Sequence, residues 1–340
     1  MTLRTGEYAG SAAAWDDFVR GQSGWTHFHL HGWKRVIESV FGHECFYLAA
    51  RDEADTIVGI LPLVTVSSAV FGRYLVSMPF VNYGGPLGTP AAVSALVDDA
   101  VELARSKRVR LLELRSRDQL PIGLPVSHRK ITVVLDLPED PAELLASFDP
   151  NVRRRIRRSQ KAGVEVRFGP EEVDSFFEVF ARHMRDLGTP TQSKRLFEAI
   201  ASEFGDAWFG CAYYRERPIA CIAGLQWGSE FEVTWASALL EYKEVAANMH
   251  LYWAFMERAI ERRLTLFNFG RCTPNGGTHR FKLQWGSRDV PLWWYDFAER
   301  QGTTTPSPEA KSFAWGPRIW RRLPTTLTTA WGPRIARYLP

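Results

Sequence analysis

At 340 residues, with 45% apolar and 24% charged side chains, the chain is long enough for two domains with sizeable cores and has the make-up of an ordinary folded soluble protein. No apolar run approaches bilayer length and no signal-peptide pattern occupies Met1–Gly21. Membrane-spanning and secreted classes are therefore set aside, and a cytoplasmic address is expected. The net charge of +4 is uneven: residues 301–340 hold six Lys/Arg against Glu309, a balance of +5, and the other 300 residues carry −1. Cys45, Cys211, Cys221 and Cys272 form no Cys-x-x-Cys pair, which points away from a zinc site or a disulfide framework.

In chain order, a helical pattern runs through Trp15-Asp-Asp-Phe18, and another over Gly32–Phe41 stops at Gly42 as a C-cap. His27, His29 and His31 alternate between them. With no carboxylate close by, they read as a packed entry segment and not as metal ligands. Phe46–Ala50 and Ile57–Val66 make a hairpin pattern. An apolar strand then leads into Asn82-Tyr83-Gly84-Gly85-Pro86, where glycine would let a substrate approach the backbone, although a plain turn fits equally. A helix over Ala91–Ser106 and a strand over Arg110–Leu114 follow. The proline-rich Ser116–Asp149 reads as the join between halves.

The same order returns about 155–163 residues later. A helix contains Phe176–Val179, and a second, Arg195–Phe204, stops at Gly205. The hairpin is Trp208–Tyr214 with Ile219–Trp227, the next helix Val245–Arg262 and the strand Leu264–Phe269. Two halves of helix, antiparallel strands, helix and strand predict an α+β fold with mixed sheets. The expected domains are residues 1–148, 149–300, and a basic Trp/Pro-rich tail over 301–340.

Cations concentrate in three places. Arg153, Arg154, Arg155, Arg157 and Arg158 wrap a helix ending at Gly163, suited to phosphate contacts or simply to a solvated face. The nearby Gln160-Lys-Ala-Gly163-Val-Glu165 misses the Arg/Gln-x-x-Gly-x-Gly/Ala pattern of a coenzyme A pyrophosphate loop. Phe267–Gly286 carries Arg271, His279, Arg280 and Lys282 around Gly276-Gly277, a loop suited to holding an anion or meeting developing negative charge; an ordinary hairpin is the alternative. Arg271 and Arg280 could each clamp a carboxylate or phosphate, or pair with a neighbouring acid. Arg185 beside Asp186 suits a structural turn as well as a substrate clamp. Trp235, Asn248 and Tyr252 are expected to line a cleft in the second half, with packing the simpler role for Trp235. In the tail, Ala-Trp-Gly-Pro-Arg-Ile recurs at Ala314 and Ala330. Trp315, Trp320 and Trp331 beside arginines fit amphipathic turns on a membrane surface or a strap across the protein body.

From Trp15 to Phe297 the chain resembles the FemAB-like proteins of the tandem GNAT superfamily, especially the branch associated with PEP-CTERM/exosortase exopolysaccharide loci. The resemblance rests on Gly59-Ile-Leu-Pro-Leu63, Leu75-Val-Ser-Met-Pro-Phe80, Asn82-Tyr-Gly-Gly85 and Arg153–Gly163. It continues through Met184-Arg-Asp-Leu-Gly-Thr-Pro190, Asn248-Met249, Phe267–Arg271 and Arg280-Phe-Lys-Leu-Gln-Trp-Gly286. It implies two GNAT-like domains, with the strand Pro291–Phe297 crossing back to the first. It also implies N-acyl or aminoacyl transfer to an amine of an envelope or exopolysaccharide precursor. No tightly bound cofactor is expected; aminoacyl-tRNA or acyl-CoA would be the donor and a nucleotide- or lipid-linked sugar or peptide precursor the acceptor, at a site peripheral to the inner membrane. Lys282 falls where the Fem enzymes carry a lysine important for catalysis, in Phe-Lys-x-x-aromatic-Gly, so the resemblance implies catalytic roles for Lys282, Arg271 and Asn268. The branch usually reads Phe-Asp-Phe-Gly-Arg-Ser; here Asn268 and Cys272 replace the Asp and the Ser, and an amide cannot act as a base. A non-catalytic precursor-binding component and an RNA-binding protein are the rival readings.

Overall fold

The structure, a computed structural model, describes residues 3–68, 72–298 and 316–339. Strand and helix patterns sort into two compact units. One comprises the described residues of Met1–Arg129, Pro291–Ala310 and Ile335–Pro340, and the other those of Lys130–Val290 and Lys311–Arg334. The division falls at Arg129/Lys130, ahead of the boundary expected after residue 148. The linker composition after Arg300, and Trp315 with it, lies outside the described residues.

The first unit is built on β1 (Arg4–Glu7), β2 (Glu44–Arg51), β3 (Ile57–Ser68), β4 (Gly72–Val76), β5 (Leu87–Gly88), β6 (Leu111–Ser116) and β7 (Val126–Ser127). Its helices are α1 (Ala12–Arg20), α2 (Gly32–Phe41) and α3 (Pro90–Ser106). Thr89 caps α3, its hydroxyl accepting from Ala92 N, and Pro90 supplies the pre-set first turn. The helix then lays Ala92, Leu96 and Ala100 onto Leu61, Leu63, Leu112 and Leu114 of the sheet, all fully buried. His27 and His29 are packed as read: the Trp33 indole donates to His27 Nδ1 at 3.1 Å, and His29 Nε2 lies 3.0 Å from Gly85 O. Arg337 donates to Phe41 O, and its own carbonyl accepts from His43 Nε2 at 2.6 Å.

The second unit is built on β8 (Ile131–Asp136), β9 (Glu165–Phe168), β10 (Ala207–Tyr214), β11 (Arg217–Trp227), β12 (Glu230–Ala238), β13 (Leu266–Cys272) and β14 (Arg288–Pro291). Its helices are α4 (Pro141–Ser147), α5 (Pro150–Lys161), α6 (Val173–Leu187), α7 (Lys194–Glu203), α8 (Ala247–Glu261) and α9 (Gly277–Leu283). The tail adds α10 (Gly316–Trp320) and α11 (Thr325–Ala336). Here the tail packs as a strap: Pro317 sits against Gly188, Gly332 against Thr191, and Arg321 donates to Leu187 O at 3.1 Å.

The two sheets have one topology. The second runs β9-β10-β11-β12-β13-β8-β14, and the first runs β1-β2-β3-β4-β6-β15-β7, where β15 (Trp293–Phe297) is the last strand of the chain. The expected crossing back of the final strand is therefore present: β15 pairs antiparallel with β6, from Trp293↔Ser116 to Phe297↔Leu112. Its counterpart is β8, which follows the first half in sequence but lies in the second sheet beside β13.

Two expectations need correction, and one alternative falls. Ser116–Asp149 is no linker: Ile131–Leu135 forms a buried strand, while Pro141 and Pro150 start helices behind the N-caps Asp140 and Asp149. The α7 end differs from that of α2. Gly42 is left-handed (φ 64), whereas α7 stops through an extended Phe204 (φ −124). The segment after β13 is a turn followed by the helix α9, not a hairpin.

Candidate active site

β12 and β13 lie in the middle of the second sheet and run parallel. They pair only over Glu230↔Leu266, Phe231↔Phe267 and Glu232↔Asn268. Beyond that point β12 bulges against β11 near Ala223/Gly224, and β13 shifts register against β8 between Asn268 and Arg271. Gly270 makes the second irregularity with φ 75, a conformation that costs glycine little. The two strands separate, and a cavity of about 480 Å³ occupies the gap. Ser237 of β12, Asn248 and Tyr252 of α8, Arg271 of β13, Lys282 of α9 and His183 of α6 all line it.

α9 decides which basic residues reach this cavity. Positions 280 and 282 stand about 200° apart around a helix, so they face opposite sides. Lys282 is 3% exposed, and its Nζ donates to Gly270 O at 2.5 Å and Arg271 O at 3.2 Å. Desolvation lowers its pKa to about 8, opposed by Cys272 and Glu232. Arg280 is exposed, donates to Asn275 O at 3.0 Å and does not line the cavity. His279 is also turned away. Its Nδ1 accepts from Asn275 N at 2.9 Å, which leaves Nε2 to donate to Asp289 Oδ1 at 2.8 Å, so the ring pins the turn.

Asn268 lies beneath the cavity, fully buried and outside its lining. Its amide donates to Glu230 Oε1 at 2.7 Å and Glu232 Oε2 at 3.0 Å. Its carbonyl accepts from Thr132 Oγ1 at 2.6 Å and Gly270 N at 2.8 Å. All four hydrogen-bonding positions of the side chain are used, and the last bond fixes the bulge that presents Gly270 O to Lys282. A carboxylate could not donate to Glu230 and Glu232, so Asn268 shapes the floor of the site.

Other expected site residues divide further. Arg185 pairs with Asp186 at 2.5 Å and is outside the cavity lining. Trp235 packs edge-on against Phe197 with ring centroids 5.3 Å apart. Asn82, Tyr83, Gly84 and Gly85 belong to the first unit, whereas Lys282 belongs to the second. There Tyr83, Gly84 and Gly85 line a smaller cavity of about 170 Å³. The glycines serve the chain's own packing: a Cβ at Gly84 would stand 2.4 Å from Met78 Cγ, and one at Gly85 would stand 3.1 Å from Arg115 O. Sequence reasoning missed His183, Ser237, Glu230 and Glu232. Glu230 and Glu232 alternate on a strand two residues apart, a signal that two acids share one face; His183 and Ser237, 54 residues apart, gave none.

Residues 146–283 match the family model described as Acetyltransferase (GNAT) domain. Among solved structures the chain is similar to FemX at 15% identity and TM-score 0.65, over 87% of this chain and 98% of that one. It is also similar to a tandem GNAT protein from the clavulanic acid biosynthesis pathway, at 14% identity and TM-score 0.56 over 89% and 100%. A third match is L-PGS from Bacillus licheniformis, at 13% and 0.57 over 94% and 99%. No curated protein matches the sequence. The chain has the tandem GNAT fold, and the matched residues 146–283 fall within the unit that holds the cavity. Among the described residues no helix is long and apolar enough to cross a membrane.

Proposed function

We propose that the protein is an N-acyltransferase, moving an acyl or aminoacyl group onto an amine of a cell-envelope or exopolysaccharide precursor. Lys282 carries this reading: a desolvated ammonium, held by two carbonyls, lines a cavity opened by splayed parallel strands. As the amine attacks, charge develops on the acyl oxygen. A fixed cation that is already desolvated stabilises that oxygen without reorganising. Arg271, on the same wall, holds an anionic part of donor or acceptor. The acetyltransferase match over residues 146–283 and the FemX-like fold support the reaction class. An aminoacyl-tRNA or acyl-CoA serves as donor, and the PEP-CTERM-associated setting and a membrane-peripheral location, through the Ile319, Leu327 and Trp331 side chains that the strapped tail leaves exposed, belong to the same reading. The rival binding-component reading loses the support it drew from Asn268, whose amide has a structural role.

The test supplies purified protein with acyl-CoA or aminoacyl-tRNA donors and amino-sugar or lipid-linked acceptors and looks for the amide by mass spectrometry. Lys282→Ala is expected to lower kcat about 10²- to 10³-fold. Ligand retention without amide from any donor would favour a binding component, and normal turnover by Lys282→Ala would remove the assigned role.

A further inference from the structure

The cavity lining also holds a pair of side chains that the acyl-transfer reading does not yet use. α6 buries Phe176, Val179 and Phe180 against the sheet, and one turn beyond Val179 the same face carries His183. Its Nδ1 lies 2.8 Å from Ser237 Oγ on β12, and both residues line the 480 Å³ cavity with Lys282 and Arg271. Among the described residues Nε2 has no hydrogen-bond partner. A histidine fixed through one nitrogen, with the other unclaimed at a reaction cavity, has the arrangement of a general base.

We propose that His183 accepts the proton of the attacking amine at Nε2, with Ser237 holding the ring as its Nδ1–H tautomer; this rests on the acyl-transfer reading above. Nδ1–H donates to Ser237 Oγ, leaving the lone pair on Nε2. The amine nitrogen attacks the carbonyl carbon of a thioester or ester donor, forming the C–N bond while its proton passes to Nε2. Collapse of the tetrahedral intermediate breaks the C–S or C–O bond, and Nε2–H returns the proton to the departing sulfur or oxygen. The ring ends neutral, as it began. Ser237 is a positioning residue.

Burial pushes the His183 pKa below its usual 6.5, with Asp186 on the same helix opposing. The Cys221 thiol of β11 and the Ser237 hydroxyl line the cavity with it, and Arg271 and Lys282 are the cations there. Desolvation is the largest of these influences and favours the neutral ring.

Two measurements test the proposal. First, ¹⁵N NMR of the His183 ring reads the tautomer without turnover. An unprotonated Nε2 at pH 7–8, lost in Ser237→Ala, is expected; a protonated Nε2 in the wild type overturns the assignment. Second, wild-type kcat/KM is expected to fall with acid at a pH below about 6.5. His183→Gln should lose about 10²- to 10⁴-fold and abolish that limb. If the wild type is active and His183→Gln retains both rate and limb, the base role fails alone. If no donor gives amide with the wild type, the acyl-transfer reading and the base role fail together.

Discussion

Each unit contains a parallel strand pair that parts at an equivalent point, yet the cavity of about 480 Å³ in the second unit compares with one of about 170 Å³ in the first. In the first unit β4 and β6 pair up to Val76↔Glu113 and the chain then continues bonding across the gap. Ser77 N donates to Glu113 O at 2.9 Å, Arg115 N to Ser77 Oγ at 2.7 Å, and Gly84 N to Arg115 O at 3.0 Å. The closure holds Met78 (φ 55) and Phe80 (φ 71) in left-handed conformations that side chains resist. Packing compensates, since Met78 is fully buried and Phe80 stacks on Phe41 at 4.2 Å. In the second unit no strand pairing among the described residues joins β12 to β13 after Glu232↔Asn268, and the gap becomes the cavity. The same topology therefore serves as scaffold in one half and as candidate site in the other, depending on how the chain continues past the last shared pair.

That contrast breaks if changes in the first gap act on activity without affecting stability. Glu113 is fully buried and ion-paired with Arg115 and Arg129. Glu113→Ala strands Arg115, 1% exposed, and should cost about 3–5 kcal/mol of folding stability by chemical denaturation. In the second gap, Asn268→Asp removes two donors to carboxylates and adds a third negative charge. A loss of about 3 kcal/mol near neutral pH is expected, shrinking in acid as a carboxylate takes up a proton.

Lys282 sharpens the comparison through pH. Its folded pKa of about 8 lies below the ordinary 10.5, so between those values the unfolded chain binds more protons and the residue's contribution to stability rises with pH. Activity moves the other way. The ammonium is present below pH 8 and lost above it, and kcat should fall up to tenfold per pH unit beyond that point with an acceptor already neutral there. The smallest effect is expected at Arg280. Its exposed side chain bonds Asn275 O, and Arg280→Ala should leave stability within about 0.5 kcal/mol and kcat/KM within about twofold. Arg271→Ala, on the cavity wall, should raise KM.

Much of the fold could be read from local pattern. The hairpins β2–β3 and β10–β11, the long helices α3 and α8, and the strands after them follow from apolar periodicity and turn residues close in sequence. β8 escaped because the prolines on either side of it (Pro121, Pro125, Pro138, Pro141 and Pro150) resemble a linker, although Ile131-Thr-Val-Val-Leu135 is a β-branched run and Pro141 and Pro150 are helix starts. At the candidate site, Lys282 was singled out through the motif that carries the resemblance, and it lines the cavity. Arg280 and His279 were grouped with it because a loop reading assigns no faces: Arg280 lies on the opposite side of α9, and His279 is held by Asn275 N and Asp289 Oδ1. His183 and Ser237 could not be paired from sequence, since only the packing of α6 on β12 brings them to 2.8 Å.

The sequence by itself determined the duplicated α+β order and the basic cluster after β13, because periodicity, turn chemistry and motif spacing act over short stretches of chain; the return of β15 was an implication of the family resemblance. Tertiary structure decided that β8 fills the second sheet, that one strand gap is closed and the other open, and that an amide at Asn268 supports a lysine it does not touch. Those outcomes depend on hydrogen bonds and side-chain packing between residues far apart in sequence, whose partners are defined only once the sheets have formed.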